Sequence, residues 1–317
     1  MALRKKINPF SRVNNDTGFG TNANNYGGRF INRDGTFNLR REGKPFWETI
    51  NIYQVMITLP IWKFISVLVI FFIAANIFFT GIYWWLDSEL QGLIAQTPWE
   101  RLKELYFFSS QTFTTVGYGR VNPVGDGANL IASFEALAGF LSFALATGLI
   151  YGKFSRPMAH LIFSENAFIS PYQDSKGLMF RFACYKERHA LSDVEIQVNI
   201  GLQVQENGSL VYKFYDLPLE RKRIENMPMN WTVVHHIDDK SPLLGFSEED
   251  MKTADVELYV LVRGFDDVYS NQVLKRTSYT YDEIKFGHKF VPMYRESENG
   301  KTTILELHKL NKTVVAS

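Results

Sequence analysis

One short segment has the residue types that selective ion binding needs. It reads Thr114-Thr115-Val116-Gly117-Tyr118-Gly119. A potassium ion leaves water only where oxygens replace its hydration shell, and four TVGYG loops do this with rings of backbone carbonyls in known potassium filters. Gly117 and Gly119 permit the left-handed angles that point each carbonyl inward, while Val116 and Tyr118 can pack outward. The segment predicts a filter over 115–119, with K⁺ at Thr115, Val116, Gly117 and Tyr118 and the Thr115 hydroxyl in the innermost ring.

The residues before this loop predict a helix that faces it. Thr97-Pro98-Trp99-Glu100 has the form of a capping box with proline at the first helical position. We therefore expect a pore helix over 98–113. The negative end of its dipole would point at the filter and favour a cation below it.

Two apolar stretches flank this region. Phe64 to Leu86 contains no formal charge, and Gly127 to Gly152 contains only the acid Glu135. Each is long enough to cross a hydrocarbon core of about 30 Å as a helix. We predict an outer helix over 61–86 and an inner helix over 126–155, so that residues 60–157 form a transmembrane pore domain.

The charges beside these spans predict their orientation. Residues from Arg4 to Lys63 include ten basic residues and four acids, whereas Asp87 to Asp126 has five acids and three bases. Basic residues concentrate on the cytoplasmic side of membrane helices. Both termini are therefore expected to be cytoplasmic.

Three further regions complete the predicted organisation. Residues 1–45, rich in Asn, Gly and Arg, read as a largely disordered cytoplasmic tail. Apolar residues at helical spacing over 46–59 predict an amphipathic interfacial helix, although a helix packed on the soluble domain fits the same pattern. Residues 158–317 contain alternating strand-like runs separated by turns such as Asn207-Gly208, which favours an antiparallel β-sandwich.

Composition argues against several other classes of protein. The net charge of +1 gives no sign of a nucleic-acid partner. The single cysteine, Cys184, cannot form an internal disulfide, and no Cys/His spacing resembles a zinc site. No nucleophile and base stand out as a pair, so we expect neither an enzyme nor a cofactor, with K⁺ as permeant ion only.

Several separate motifs resemble one family. Phe107 to Gly119, Glu135 to Gly139, Gly148 to Pro157, Phe163 to Ala167 and His235 to Leu243 are similar to the inward-rectifier potassium channels, especially their prokaryotic branch. The resemblance implies a homotetramer, a multi-pass protein of the bacterial inner membrane, and a cytoplasmic all-β immunoglobulin-like sandwich that continues the pore. The expected fold is thus a membrane α-helical pore, with two transmembrane helices and a pore helix per subunit, joined to that sandwich.

Glu135 is a candidate functional residue because an ionisable group inside a span is costly unless it is paired or wet. It either faces the cavity and attracts cations, or lies behind the filter and hydrogen-bonds the pore helix. Members of the family often pair a pore-helix glutamate with an arginine after the filter. This chain has Arg120 but Gln111 at the acid's position, so Glu135 is a candidate substitute partner.

The inner helix carries candidate gate residues. Phe143, Thr147 and Tyr151 recur every four residues and share one face. The resemblance aligns Phe143 and Tyr151 with constrictions, although ordinary helix packing would give the same pattern. Gly139 is either a hinge or a point of close packing. Strongly rectifying members carry an acid at the position of Phe143, so we expect weak rectification by blockers such as polyamines or Mg²⁺.

Basic residues near the inner interface predict a second kind of partner. Such side chains bind anionic phospholipid head groups, but a topology signal alone would place them similarly. The candidates are Arg40, Arg41, Lys44, Lys63, Lys153 and Arg156. The residues and the resemblance together imply a homotetrameric potassium channel of inward-rectifier type, passive, weakly rectifying and regulated by anionic lipids. The alternative is a non-conducting membrane sensor or binding protein built on a channel scaffold.

Overall fold

The computed structural model describes residues 7–18, 28–43, 45, 51–206 and 209–316. The chain divides into two compact units. A helical unit comprises Glu42–Arg156, and a β unit comprises Met1–Arg41 together with Pro157–Ser317.

The described residues of the helical unit form four α-helices. We call them the interfacial helix (Ile52–Thr58), the outer helix (Ile61–Trp85), the pore helix (Pro98–Phe113) and the inner helix (Asp126–Phe154). Pro60 separates the first two, because proline has no N–H to continue the interfacial helix. The interfacial helix was predicted to begin at residue 46, but residues 46–50 lie outside the described chain.

Side chains accept backbone N–H groups at the N-terminal ends of the pore and inner helices. The Thr97 hydroxyl accepts the Glu100 N–H at 3.2 Å, and the Glu100 carboxylate accepts the Thr97 N–H at 3.3 Å. The predicted capping box is confirmed. At the start of the inner helix, the Glu89 carboxylate accepts the Ala128 N–H at 2.7 Å and satisfies an amide that has no partner within the helix.

The β unit consists mainly of two five-stranded sheets. Two further strand pairs belong to the β unit, and one strand pair belongs to the helical unit. In chain order the strands are β1 (Leu90–Gln91) and β2 (Asn122–Pro123) in the helical unit, then β3 (Leu161–Phe163), β4 (Ala167–Tyr172), β5 (Ser175–Cys184), β6 (Leu191–Glu206), β7 (Ser209–Asp216), β8 (Arg223–Met227), β9 (Asn230–Ile237), β10 (Glu257–Asp266), β11 (Asn271–Thr280), β12 (Ile284–Phe286), β13 (His288–Phe290), β14 (Tyr294–Glu296), β15 (Thr303–Leu305) and β16 (Thr313–Val315).

The sheets face each other across one core. One has the order β11-β10-β6-β7 with β8 also paired to β6; the other has the order β12-β4-β5-β3 with β9 also paired to β5. Alternate residues of β6, from Val194 to Leu202, point into this core, as the period of two in the sequence requires. A short helix, Glu248–Thr253, covers it at Met251. The predicted sandwich is confirmed, while its Asn207-Gly208 turn lies outside the described residues.

The described parts of the N-terminal region are docked on the β unit. Val13 forms a β-bridge with Tyr215, and Phe30 and Ile31 are only 6% and 5% exposed. The buried Glu257 carboxylate accepts the Phe30 N–H at 3.0 Å. Within the tail that was predicted to be largely disordered, the described residues 8–14 and 29–31 thus make defined contacts with the β unit. Composition misses this docking because a few scattered residues make it, through two buried apolar side chains and a small number of hydrogen bonds.

Candidate functional site

The TVGYG loop leaves the pore helix through a compact turn. The amides of Val116 and Gly117 both donate to the Gln111 carbonyl, at 2.9 and 3.3 Å, and the Thr115 amide donates to the Thr112 carbonyl at 3.0 Å. The carbonyls that end the pore helix thus find partners within the loop itself. This turn fixes where the loop begins relative to the helix axis.

The backbone of the loop alternates in handedness. Thr115, Gly117 and Gly119 have φ values of 58°, 55° and 78°, whereas Val116 and Tyr118 are not at positive φ. The left-handed angles predicted for both glycines are confirmed. Thr115 was not foreseen, because positive φ is strained for a β-branched residue and must be enforced by its surroundings.

The side chains of the loop find little cover within one chain. Val116 is 52% exposed and Tyr118 is 79% exposed. The outward packing predicted for them therefore has no counterpart inside a single subunit.

Glu135 lies behind the pore helix and is completely buried. Its carboxylate accepts the Tyr83 hydroxyl at 2.6 Å and the Ser109 hydroxyl at 2.5 Å. These donors lie on the outer and pore helices, so one side chain of the inner helix links all three. Ser109 also lies 3.2 Å from the Asn76 amide oxygen, which extends the polar cluster along the outer helix. Of the two placements open in the sequence, the structure has the one against the pore helix.

Arg120 has a different partner from the one considered. Its guanidinium forms an ion pair with Glu104, near the start of the pore helix, and not with Glu135. Glu104 lies seven residues before Gln111, two turns earlier on nearly the same face of the pore helix, and sequence reasoning missed it. The only signal for this pairing in the sequence was an acid on the predicted pore helix, at a position other than the one where the family carries its glutamate.

A second set of contacts holds the far end of the loop. β1 and β2 pair Leu90 with Pro123, which joins the segment before the pore helix to the segment after the filter. At Gly92, φ is 90° and an added Cβ would lie 1.9 Å from the Arg120 carbonyl oxygen. Only glycine fits there. The backbone on both sides of the TVGYG loop is thus fixed.

The inner helix contacts the end of the pore helix at one glycine. An added Cβ at Gly139 would lie 1.8 Å from the Phe113 carbonyl oxygen, so the two backbones approach directly. Of the two roles open for Gly139, close packing is the one with contacts in the structure. Phe143, Thr147 and Tyr151 lie further along, and all three are exposed within the single chain.

The candidate lipid residues have different environments. Arg40, Arg41, Lys63 and Arg156 are exposed, and Lys63 lies over the Trp62 ring at 5.2 Å. Lys153 is partly buried and donates to backbone carbonyls of the interfacial segment. Lys44 lies outside the described residues.

Two helices of this unit are long and apolar enough to cross a membrane, Ile61–Trp85 with 25 residues and Asp126–Phe154 with 29. With a capped helix and a TVGYG loop between them, they define the pore unit of a two-span potassium channel. A profile described as "Ion channel" matches residues 57–156, and one described as "Inward rectifier potassium channel C-terminal domain" matches residues 161–317.

Relatives in the curated proteins agree along most of the chain. The chain is 31% identical over 287 residues to "Inward rectifier potassium channel Kirbac3.1" of Paramagnetospirillum magnetotacticum, covering 90% of this chain and 95% of that protein. It is 28% identical to "ATP-sensitive inward rectifier potassium channel 12" of Bos taurus, covering 72% of this chain and 58% of that protein. The chain belongs to the inward rectifier potassium channel family. It is therefore a membrane protein and not an enzyme.

Proposed function

We propose that four copies of this chain form a potassium-selective pore whose ions are held by residues 115–118. The observation that carries the proposal is the alternation of left-handed angles at Thr115, Gly117 and Gly119 directly after a capped pore helix. Carbonyls from Thr115, Val116, Gly117 and Tyr118 would form the oxygen rings, with the Thr115 hydroxyl in the innermost ring.

The need for four chains follows from the number of ligands. One chain offers a single backbone oxygen at each level, which cannot replace the hydration shell of an ion. The exposure of Val116 and Tyr118 in the single chain supports the same conclusion, because neighbouring pore helices would cover them. A symmetric tetramer provides both the oxygen rings and the cover.

The proposed orientation has both termini and the β unit in the cytoplasm, across the inner membrane of a bacterium. The excess of basic residues before the outer helix supports this orientation. In it, Phe143, Thr147 and Tyr151 would line the cytoplasmic half of the pore and form its gate.

Weak rectification is part of the proposal. A polycation in the cavity is held by acids that line it, because the attraction between charges is stronger in a low dielectric. Residue 143 is a phenylalanine, and Glu135 is buried behind the pore helix. Currents at positive voltage should thus be little reduced by spermine or Mg²⁺, and Phe143→Asp should introduce strong block. No change with Phe143→Asp would show that residue 143 does not line the pore.

Regulation by anionic phospholipid is proposed through the exposed cations Lys63 and Arg156, with Arg40, Arg41 and Lys44 as further candidates. Each basic side chain near an anionic surface contributes about 1 kcal/mol. Neutralising Lys63 and Arg156 together should flatten the response of flux to added anionic lipid and leave selectivity unchanged. An unchanged lipid response would mean that these charges only set topology.

The deciding experiment is potassium flux into liposomes that contain the purified protein. The natural chain should carry K⁺ and exclude Na⁺, while Gly117→Ala should lose flux or selectivity because its Cβ opposes a φ of 55°. Gly18→Ala, also at positive φ but in the β unit, is a matched control. A tetrameric natural protein with no flux would favour the alternative, a non-conducting membrane sensor.

A further inference from the structure

One ion pair lies beside the outer end of the TVGYG loop. Arg120 directly follows Gly119, and its guanidinium bonds the Glu104 carboxylate on the second turn of the pore helix. The Arg120 side chain is 48% exposed and that of Glu104 is 20% exposed. The pair is thus a contact at the surface of the helical unit, unlike the fully buried hydrogen bonds of Glu135.

The backbone of Arg120 is held without this ion pair. β1 and β2 join the segments on either side of the TVGYG loop, and Val121, the next residue, is only 9% exposed. The Arg120 carbonyl also lies so close to Gly92 that no side chain fits between them. An exposed ion pair adds little to stability. The main consequence of the Glu104 carboxylate is therefore the charge that it brings to Arg120.

Three other acids at this end of the spans have different contacts. The two spans place the segment between them on the opposite side of the membrane from both termini. In this segment Asp87 forms an ion pair with another arginine, Glu89 accepts an amide of the inner helix, and Glu100 accepts an amide at the start of the pore helix. Glu104 is the carboxylate bonded to Arg120, the cation that directly follows the loop.

This pairing matters in a tetramer, in which four copies of Arg120 would surround one opening. Opposite charges in direct contact largely cancel at a distance, whereas four unpaired guanidinium groups would repel each cation that approaches. Such repulsion reaches about 10 Å at an ionic strength of about 0.1 M and about 3 Å at about 1 M. Its effect on ion entry would thus depend on salt, whereas the packing of the loop does not.

We propose that Glu104 is a conduction-determining residue, because its carboxylate cancels the charge of Arg120 at the outer opening of the pore. This inference rests on the proposed function, since it needs four chains around one path for K⁺. It assigns Glu104 a role in the rate of flux and none in the choice of ion. A charge outside the filter acts equally on K⁺ and Na⁺.

The test measures potassium flux per tetramer in liposomes of phosphatidylcholine at a fixed low K⁺ concentration, with N-methylglucamine chloride on both sides to set the ionic strength. Glu104→Gln removes the charge and keeps the shape of the side chain. At an ionic strength of about 0.1 M we expect flux to fall about tenfold, the lower end of the range by which a charged opening changes the arrival of ions. At about 1 M the flux should lie within about twofold of that of the natural chain, because the charge is then screened.

Neutralising Arg120 as well provides the matched control. Glu104→Gln/Arg120→Gln lacks the ion pair but leaves no unpaired charge, so its flux at the lower ionic strength should return to that of the natural chain. Arg120→Gln alone leaves four carboxylates near the opening, and it should raise flux at the lower ionic strength only. The ratio of K⁺ to Na⁺ flux should be the same in all four chains.

The proposal is overturned if Glu104→Gln conducts like the natural chain at the lower ionic strength, because the charge of Arg120 would then not reach the ion path. It is also overturned if the loss persists at the higher ionic strength or in the double variant, since that pattern means that the ion pair holds the structure of the loop. A natural chain with no flux would instead reject the proposed function, and this inference with it.

Discussion

Glu135 in the helical unit and Arg181 in the β unit are both buried, and the two side chains are held in different ways. Glu135 in the helical unit is fully buried and accepts hydroxyl groups from two other helices. Arg181 in the β unit is 1% exposed and donates to backbone carbonyls, including those of Val291 and Leu310, both at 2.7 Å. Side chains thus join separate helices near the filter, whereas in the β unit one side chain holds a folded segment by its backbone.

Because of this difference, the two units are sensitive to substitution at different kinds of residue. The helical network consists of the Glu135, Tyr83, Ser109 and Asn76 side chains, and a change at any one of them alters it. The acceptors of Arg181 are carbonyls that every residue possesses, so that only residue 181 itself matters. The filter region adds a third mode, direct contact between backbones at Gly139.

The largest effect is expected at this backbone contact. Gly139→Ala would place a Cβ 1.8 Å from the Phe113 carbonyl oxygen, a conflict with backbone that cannot turn away. We expect loss of potassium-selective flux, because the end of the pore helix must shift. Gly148→Ala is the matched control in the same helix, since its added Cβ would meet nothing within 4 Å. If Gly139 were instead a hinge, Gly139→Ala would alter opening but preserve selectivity.

The next effect concerns Arg181. Burial lowers its pKa to about 10, so that it still carries its charge near neutral pH. Arg181→Met would leave several buried carbonyls without a donor, at a cost of about 3 kcal/mol or more in the free energy of unfolding. Amide exchange over 288–315 should report the loss first, because β13 and β16 lie on either side of the held segment.

Arg188→Met is a suitable control, because Arg188 is an exposed arginine of the same unit. Equal exchange over 288–315 in the Arg181→Met and natural chains would contradict the assigned role. A loss confined to Arg181→Met would confirm that the backbone acceptors, together with the Phe290 ring 4.3 Å from the guanidinium carbon, hold this buried cation.

A smaller effect is expected from single members of the Glu135 network. Tyr83→Phe or Ser109→Ala removes one hydroxyl from a carboxylate that keeps the other, at about 1–3 kcal/mol each. The change in the free energy of unfolding of the double variant should differ from the sum of the two single changes, since both donors share one acceptor. Thermal dissociation of the assembled channel and the K⁺ to Na⁺ flux ratio measure this.

Ser133→Ala is the control for the network, because the Ser133 hydroxyl donates only to the Asn129 carbonyl of its own helix. Strict additivity of Tyr83→Phe and Ser109→Ala would show that the two hydroxyls act independently. The helices would then not be coupled through Glu135.

These contacts show what the sequence could and could not predict. Local patterns in the sequence predict the two spans, the capping box and the left-handed glycines. Each of these features depends on residues that are adjacent or nearly adjacent in the chain. The partners of Arg120 and Lys153 could not be predicted from local patterns. The presence of a charged residue indicates that its burial would be costly, but it does not indicate which carboxylate or carbonyl will offset that cost.

The N-terminal region illustrates the same limit. Phe30 and Ile31 are two apolar residues in a polar stretch, and no periodicity marks them. Their cover comes from Tyr212, Phe214 and Tyr259, far along the chain. Low overall hydrophobicity predicted disorder, although a few buried contacts suffice to dock a segment.

The smallest expected effect is a dependence of stability on pH in the β unit. His160 is 5% exposed and lies between two tyrosine hydroxyls, 3.2 Å from that of Tyr185 and 3.3 Å from that of Tyr269. Burial lowers the pKa of His160, and nearby Lys186 and His189 lower it further, against a smaller opposite effect of Asp266. The folded state therefore binds a proton less readily at this residue than the unfolded state, whose histidine pKa is about 6.5. Stability from neutral His160 is complete above that pH and is lost as the pH falls below it toward the pKa of His160 in the folded state.

His235, which is also buried with a lowered pKa, should add a loss of the same sign. We expect the thermal unfolding temperature of the full chain to fall between pH 7.5 and 5.5, and to fall less steeply for His160→Gln, which has no group that titrates in this range. His308→Gln, at an exposed histidine, is the control and should follow the natural chain. A slope that is the same for His160→Gln and the natural chain would mean that the acid sensitivity of the β unit arises at other groups, with His235 the first to examine.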